Sequence, residues 1–123
     1  IIGIGSNIDA RRNIAKMLVH LAKEVEIVQV SGMVVTKPIG LLNQADFTNG
    51  AVKIVTEKDL EELTVLLKSI EDKMGRDRTQ PKFGPRNIDL DVLIWNGSIV
   101  DQDYYKREFL RNAAYELGFK PAI

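Results

Sequence analysis

The sequence has no cysteine, and this absence excludes disulfide bridges, zinc–thiolate centres and cysteine nucleophiles. It also lacks an excess of charge of either sign, because 17 lysines and arginines balance 17 aspartates and glutamates. A balanced charge gives no general attraction to nucleic acid or to an acidic membrane surface. No apolar run reaches the roughly 20 residues that a membrane span needs, and no signal peptide is recognisable. We therefore expect a cytoplasmic protein with no nucleic-acid or membrane partner.

The chain does contain enough apolar material for a hydrophobic core. Its 123 residues are 45% hydrophobic and 28% charged, a composition typical of soluble globular proteins rather than of disordered chains. This length suits one domain with a single core. We therefore interpret residues 1–123 as a single domain.

Strand-like and helix-like segments alternate along the chain. The strand-like segments are short apolar or β-branched runs, and the long helical segments repeat apolar residues at a spacing of three and four. The predicted strands are 1–4, 26–35, 50–55 and 88–95, and the predicted long helices are 10–23 and 60–74. This βαββαβ order predicts an α+β, ferredoxin-like fold, in which an antiparallel sheet carries both long helices on one face. A turn at Asn96-Gly97 adds a C-terminal hairpin strand, and a short helix around 105–114 follows.

Side chains that can cap a helix precede both long helices. Asn7 and Asp9 are the candidates before the first helix, and Thr56 with Asp59 forms a weak capping box before the second. His20, the only histidine in the chain, lies off the apolar face of the first helix. We interpret it as a solvated helix residue rather than as a ligand or a base.

Two aspartates interrupt the apolar strand 88–95. Because side chains alternate along a strand, one face of it carries Ile88, Leu90, Val92 and Ile94, and the other carries Asp89, Asp91, Leu93 and Trp95. The two carboxylates then lie on one side, about 7 Å apart at the backbone. Two such carboxylates suit a hard cation, and Mg²⁺ fits best, because it completes its octahedron with water and phosphate oxygens. An Asp-x-Asp pair is also common on solvated strands, and Arg86 could simply pair with Asp89.

A basic segment precedes these acids. It combines one acid, Asp77, with the cations Lys73, Arg76, Arg78, Lys82 and Arg86. Arginine forks suit phosphate oxygens, so the segment and the paired aspartates together match the needs of a nucleoside triphosphate with Mg²⁺. No Walker A motif and no kinase glycine loop is present. The other interpretation is an ordinary solvated loop. A second long connection, residues 36–49, exceeds the usual loop length and is also typical of a functional loop.

The segment K-F-G-P-R-N-I-D-L-D-V-L-I, residues 82–94, resembles the signature of the 6-hydroxymethyl-7,8-dihydropterin pyrophosphokinases. These enzymes of folate biosynthesis transfer pyrophosphate from ATP to a pterin alcohol and release AMP. Further matches follow in chain order: I-G-S-N at 4–7, T-x-P-x-G at 36–40, D-F-x-N at 46–49 and I-E-x-x-x-G-R-x-R at 70–78. The resemblance covers nearly the whole chain.

The resemblance implies a role for each matching position. It implies two Mg²⁺ ions on Asp89 and Asp91, and a catalytic set of Arg76, Arg78, Arg86, Asp89 and Asp91. It implies nucleotide contacts from Glu71, Arg76, Arg78, Phe83 and Arg86, and pterin contacts from Thr36, Phe47, Asn49 and Phe109. No general base is assigned, since phosphoryl-type transfer depends mainly on positioning and electrostatics. The expected partners are therefore small molecules, ATP and the pterin alcohol, and the expected state is a monomer or weak oligomer.

One segment departs from the family pattern. Residues 101–109 replace a Pro- and His-rich stretch that contacts the nucleotide in the family, and they contain no histidine. This departure motivates an alternative, a degenerate member that binds pterin or nucleotide without turnover. A third hypothesis is a ferredoxin-like nucleic-acid-binding module, which would need cations and aromatic rings on the open face of the sheet. The two aspartates and the zero net charge count against that hypothesis.

Overall fold

The computed structural model describes residues 1–38, 43–75 and 86–121. Within these ranges the chain forms seven strands and four helices. The strands are β1 (Ile2–Ser6), β2 (Glu26–Val30), β3 (Val34–Thr36), β4 (Phe47–Val55), β5 (Asp89–Val92), β6 (Ile94–Trp95) and β7 (Ser98–Ile99). The helices are α1 (Ala10–Ala22), α2 (Leu60–Lys73), α3 (Asp103–Lys106) and α4 (Glu108–Glu116). The fold is α+β, as the sequence predicts.

The main sheet is antiparallel and has the strand order β2-β4-β1-β5, with β3 also paired to β4. The register across its centre sets Asn49 of β4 and Asp89 of β5 on either side of Gly5 in β1. The next row on the same face sets Ala51 and Asp91 on either side of Gly3. Strand β1 therefore presents glycine to one face of the sheet and isoleucine to the other.

The isoleucine face carries both long helices. Ile2 and Ile4 are buried in one cluster with residues from α1 and α2, among them Met17 and Leu67. The cluster includes Ile14 and Leu21 of α1 and Leu63 and Ile70 of α2, at the predicted helical spacing. Burying large apolar side chains on this scale, at roughly 1.5–3 kcal/mol each, holds both helices on one side of the sheet. Residues of α1 and α2 thus share one core cluster with β1.

The predicted strand 88–95 is interrupted, and the interruption turns two side chains to the faces opposite to those predicted. The amides of Leu93 and Ile94 both donate to the carbonyl of Ile1, at 2.9 and 3.1 Å, so two residues oppose one, as in a β-bulge. Ile94 is consequently buried in a second cluster with Tyr104 of α3, on the side of the sheet away from α1 and α2, and Trp95 packs on the first cluster. The predicted faces of these two residues are wrong, because the alternation skips a position. The predicted hairpin at Asn96-Gly97 is present as β6 and β7.

Four other local predictions need correction. The predicted strand 26–35 is two strands, β2 and β3, with a break at residues 31–33. At the break the Ser31 amide still donates to the carbonyl of Ala51, at 2.9 Å, but the Ala51 amide donates to the Ser31 hydroxyl, at 2.8 Å. The second capping box is formed by Asp59 with Glu62, rather than by Thr56 with Asp59. Asp9 is the N-cap residue of α1 but makes no capping hydrogen bond through its side chain. The C-terminal segment forms two helices rather than one, α3 and α4.

The glycine face is partly covered by α4. Ala113 of this helix and its C-cap residue Leu117 are buried against Ala51 of the sheet, and a Cβ atom on Gly3 would lie 3.5 Å from the Leu110 side chain. The rest of that face, next to β5, is open and forms the candidate site. Among the described residues, no helix is long and apolar enough to cross a membrane.

Candidate active site

A pocket of about 170 Å³ lies on the glycine face of the sheet. Its floor is β1 at Gly3 and Gly5, and its walls come from β3, β4, β5 and the segment 101–110. The lining side chains include Thr36, Phe47, Asn49, Asp89, Asp91, Asp101, Asp103, Arg107 and Phe109. The structure therefore brings together all four predicted pterin contacts and both predicted metal ligands.

The amide of Asn49 is held in a defined orientation. Its Nδ2 donates to the hydroxyl of Thr36 at 2.5 Å, and the residue is only 8% exposed. The remaining polar atom, Oδ1, lies above Gly5, where an added Cβ atom would approach it to 3.1 Å. Phe47 and Phe109 are half-buried in the walls of the same pocket. An oriented amide between two aromatic side chains suits a flat heterocycle with polar edges.

The two aspartates lie at the boundary between two cavities. Asp89 and Asp91 line the pocket just described, and they also line a second cavity of about 190 Å³ beside α2. Thr64, Lys68 and Glu71 line that second cavity. The strand alternation that the sequence predicts for Asp89, Leu90 and Asp91 is confirmed, since Leu90 is buried in the helix-side cluster. The carboxylates can therefore face two different ligands at once.

The ionised form of the Asp91 carboxylate is disfavoured by its surroundings. The pKa of its carboxyl group is raised from 3.8 to about 7, first by lost hydration and then by repulsion from Asp89, Asp101, Glu71 and Asp103. The side chain as a whole remains exposed to solvent at the mouth of the pocket. The desolvated side of the carboxylate and the surrounding negative charges thus act together to disfavour its ionised form. A bound cation would relieve both effects.

The residues present fit a hard divalent cation. The donor set consists of carboxylate oxygens, which Mg²⁺ prefers. In the ranges that the structure describes, no group of three or more His, Cys, Asp or Glu residues is arranged to hold a metal. A site with two carboxylates therefore suits Mg²⁺, which is commonly bound by one or two carboxylates together with water and phosphate oxygens.

Glu71 is buried and holds the edge strand. It is 5% exposed, and its Oε2 accepts a hydrogen bond from the amide of Leu90 at 2.9 Å. Strand β5 is at the edge of the sheet, so its outward amides have no neighbouring strand to pair with. Glu71 satisfies one such amide, between Asp89 and Asp91. The sequence resemblance implies a nucleotide contact for this residue, and the structure adds a structural contact to the strand that carries both acids.

Removal of the Glu71 carboxylate should destabilise the protein. Glu71→Ala leaves the Leu90 amide without its acceptor, and we expect a loss of about 1–3 kcal/mol in the free energy of unfolding. Glu71→Gln keeps an acceptor oxygen and should lose less than about 1 kcal/mol. Urea unfolding of both variants measures the difference, with Val65→Ala on the exposed side of α2 as the control. Equal losses in the Ala and Gln variants would contradict this role.

The predicted phosphate-binding residues are described only in part. Arg86 is 7% exposed, and its backbone amide donates to Oδ1 of Asn7 at 2.8 Å. It lies three positions before Asp89, at the end of the segment that leads into β5. Arg76, Arg78 and Phe83 lie outside the described residues, so their predicted roles remain predictions.

Sequence reasoning missed several residues of the site. Gly3 and Gly5 leave the space above β1 open, and alternation of Ile and Gly in I-G-I-G was the signal that could have revealed them. Asp101 and Asp103 also line the pocket, although neither of them matched a family motif. Their position depends on α3 and α4 folding back over the sheet, which no local pattern specifies.

Gly5 offers a test of the pocket floor. Because a Cβ atom there would lie 3.1 Å from Oδ1 of Asn49, Gly5→Ala should displace the Asn49 amide and raise the KM for a ligand in this pocket by about tenfold. Gly3→Ala is the matched control, since its nearest contact would be an ordinary 3.5 Å. Steady-state kinetics and thermal melts of both variants separate a pocket effect from a folding effect. A KM that rises equally in both variants would argue against the role of Gly5.

These features define an α+β domain with an oriented amide, two aromatic rings and a carboxylate pair around one pocket. Comparison with known proteins agrees with that class. The family model described as 7,8-dihydro-6-hydroxymethylpterin-pyrophosphokinase (HPPK) matches residues 1–118. The chain therefore belongs to this family.

Individual relatives are similar over most of this chain. A 2-amino-4-hydroxy-6-hydroxymethyldihydropteridine pyrophosphokinase of Bacillus subtilis (strain 168) is 36% identical over 105 residues, covering 83% of this chain and 62% of the relative. A protein of the same name from Methylorubrum extorquens is 36% identical over 121 residues, covering 94% of this chain and 76% of the relative. A folate synthesis bifunctional protein of Arabidopsis thaliana is 35% identical over 105 residues, covering 84% of this chain and 22% of the relative. The chain thus spans less than two thirds of the Bacillus relative.

Proposed function

We propose that this protein is an ATP-dependent pyrophosphokinase that acts on 6-hydroxymethyl-7,8-dihydropterin in folate biosynthesis. The observation that carries the proposal is the position of Asp89 and Asp91, which border the aromatic pocket on one side and the cavity beside α2 on the other. A transfer between two substrates needs such a boundary, where a group on one ligand meets a group on the other. Family membership and the names of the relatives support the same reaction.

The pterin is assigned to the pocket above Gly5. Phe47 and Phe109 provide apolar walls, and Oδ1 of Asn49, held by the contact of its amide nitrogen with Thr36, can accept a hydrogen bond from an N–H group of the ring. A pterin presents N–H and amino donors on its pyrimidine edge, so its chemistry matches this amide. The hydroxymethyl group would then extend toward the two aspartates.

The nucleotide is assigned to the side of the acids that faces α2. Thr64 and Lys68 line the cavity there, and the sequence resemblance assigns Arg76, Arg78, Phe83 and Arg86 to the same substrate. Asp89 and Asp91 would hold Mg²⁺, two ions according to the resemblance, on the phosphate oxygens. The metal, when bound, would neutralise phosphate charge and help to align the phosphates.

The reaction transfers a diphosphoryl group. The hydroxymethyl oxygen of the pterin attacks the β-phosphorus of ATP, the bond from that phosphorus to the α,β-bridging oxygen breaks, and AMP leaves with that oxygen. The hydroxyl proton passes to solvent. The residues of this chain contribute by orienting both substrates and by stabilising charge, so no general base is assigned.

The direct test is AMP formation. Protein incubated with Mg²⁺, ATP and the pterin alcohol should release AMP in equal amount to the pterin diphosphate, and no AMP should form without the pterin. A protein that binds the pterin but forms no AMP would be the degenerate member instead. Absence of both binding and turnover would refute the proposal.

Three further expectations accompany this function. The strand order β2-β4-β1-β5 with α1 and α2 on one face supports the ferredoxin-like arrangement of the domain. A nucleic-acid-binding role is disfavoured, since α4 packs on part of the other face, and the pocket beside it has four carboxylates, Asp89, Asp91, Asp101 and Asp103, against the cation Arg107. Those carboxylates would repel a phosphate backbone. We also propose a monomer or weak oligomer.

A further inference from the structure

Asn7 connects three segments of the chain through one buried side chain. It follows β1 and is 8% exposed. Its Nδ2 donates to Oε1 of Gln44 at 2.8 Å and to the carbonyl of Ala45 at 3.1 Å. Its Oδ1 accepts from the amide of Arg86 at 2.8 Å, and its own amide donates to the carbonyl of Arg86 at 3.1 Å. Asn7 does not cap α1, the role that the sequence suggests for it.

The Asn7 side chain donates hydrogen bonds to one segment of the chain and accepts a hydrogen bond from another. An asparagine amide has two donors on nitrogen and an acceptor oxygen. Here the donors point to residues 44–45, and the oxygen points to Arg86. A side chain with only donors or only acceptors could not make both sets. The choice of asparagine at this position therefore follows from the need to join two different partners.

Each partner lies next to one half of the proposed site. Ala45 is two positions before Phe47, where β4 enters the pterin pocket. Arg86 is three positions before Asp89, where β5 brings the acids to the pocket. Because only two and three positions separate these partners from Phe47 and Asp89, a shift of the Asn7 side chain would displace the aromatic wall and the carboxylates.

We propose that Asn7 is a positioning residue that holds the pterin side and the phosphate side of the site in register. The role rests on the proposed function, because only a transfer between two substrates requires their relative position to be set. Reaction in such a pair needs the attacking and accepting atoms within about 3–3.5 Å, and a displacement of about 1 Å can lower the rate by about 100-fold.

Asn7→Asp separates the two halves of this role. The aspartate keeps an oxygen for the Arg86 amide but loses both donors. The carbonyl of Ala45, which accepts from the Asn7 amide in the parent protein, then faces a carboxylate instead of an N–H group. The near-identical shape should preserve the fold. Asn7→Ala removes both halves, and Asn13→Ala is the control, since Asn13 donates only to the carbonyl of Ile8 at the exposed start of α1.

Steady-state kinetics at pH 8 gives the first measurement. For Asn7→Asp we expect the KM for the pterin alcohol to rise about tenfold and kcat to fall about tenfold or more, with the KM for Mg²⁺·ATP within about twofold of the parent value. Asn13→Ala should match the parent in all three. Unchanged pterin KM and kcat in Asn7→Asp would overturn the proposal. So would a parallel rise in both KM values, which indicates general loss of structure.

Amide hydrogen exchange gives a second measurement that needs no activity. Asn7→Asp should speed exchange by about tenfold or more at the start of β4, near Phe47, while the Arg86 amide stays protected. Asn7→Ala should expose the Arg86 amide as well. If the parent protein forms no AMP, the proposed function fails, and the exchange pattern alone still decides whether Asn7 joins these segments. Equal exchange rates in the parent protein, Asn7→Asp and Asn7→Ala would overturn this role.

Discussion

Asp91→Asn should abolish most of the proposed pyrophosphate transfer, with a loss of at least about 1,000-fold in kcat/KM. The substitution preserves the size of the side chain but removes one of the two carboxylates between the pocket above Gly5 and the cavity beside α2. With Asp89 as the one remaining carboxylate of the pair, less of the phosphate charge is neutralised, and the phosphates are less well aligned. AMP release at saturating Mg²⁺, ATP and pterin alcohol measures the loss.

Asp101→Asn is the matched control for that loss. Asp101 lines the same pocket and is one of the acids that raise the pKa of Asp91, but no motif assigns it to the metal. We expect a change of less than about tenfold in kcat/KM for this variant. Equal losses in the two variants would mean that the pocket needs only its total negative charge, and the assignment of Asp91 as a ligand would then be wrong.

Asp91→Asn should also stabilise the metal-free protein at pH 8. The pKa of Asp91 is raised in the folded protein, from 3.8 to about 7, so the folded state holds this proton more tightly than the unfolded chain does. Its contribution to stability is therefore greatest at acidic pH and is lost as pH rises through this window. An asparagine lacks the unfavourable charge, so the melting temperature at pH 8 should rise by a few degrees, and less at pH 4. The gain is modest because the side chain is exposed to solvent.

The arrangement of the acids could be predicted from sequence because it depends only on local alternation. Leu90 between Asp89 and Asp91 specifies the two faces of β5, and the apolar spacing of α1 and α2 specifies which face meets the helices. The prediction failed at Ile94 and Trp95, because the double contact to the carbonyl of Ile1 depends on a residue more than 90 positions away. A bulge has no signature in the strand that contains it.

The contacts that support the site could not be predicted, because they depend on tertiary structure. Asn7 was a candidate helix cap, and only the approach of residues 44–45 and 86 shows what its amide binds. Glu71 reads as a polar position in an amphipathic helix, and its burial follows from the position of α2 beside the edge strand. In each case a polar side chain satisfies backbone groups that the chain brings to it from another segment.

The binding of Mg²⁺ should depend steeply on pH below about 7. A metal ion that binds the Asp91 carboxylate must displace its proton, and the pKa of that group is about 7 in the metal-free protein. The affinity should therefore fall by up to about tenfold for each pH unit below 7 and level off above it. Magnetic resonance titration of the Gly3 and Leu90 amides with MgCl₂, from pH 5.5 to 8, measures this dependence without nucleotide.

Two variants distinguish the titration of Asp91 from a general effect of pH. Asp91→Asn should bind Mg²⁺ weakly, with little change across this range, because the group that competes for the proton is gone. Asp101→Asn should keep the steep dependence but move its midpoint to lower pH, since one of the acids that repel the Asp91 carboxylate is removed. Mg²⁺ affinity that stays constant from pH 5.5 to 8 in the parent protein would show that the metal does not bind the Asp91 carboxylate. The midpoint shift in Asp101→Asn thus tests whether the segment that replaces the family's Pro- and His-rich stretch tunes the metal site by its charge.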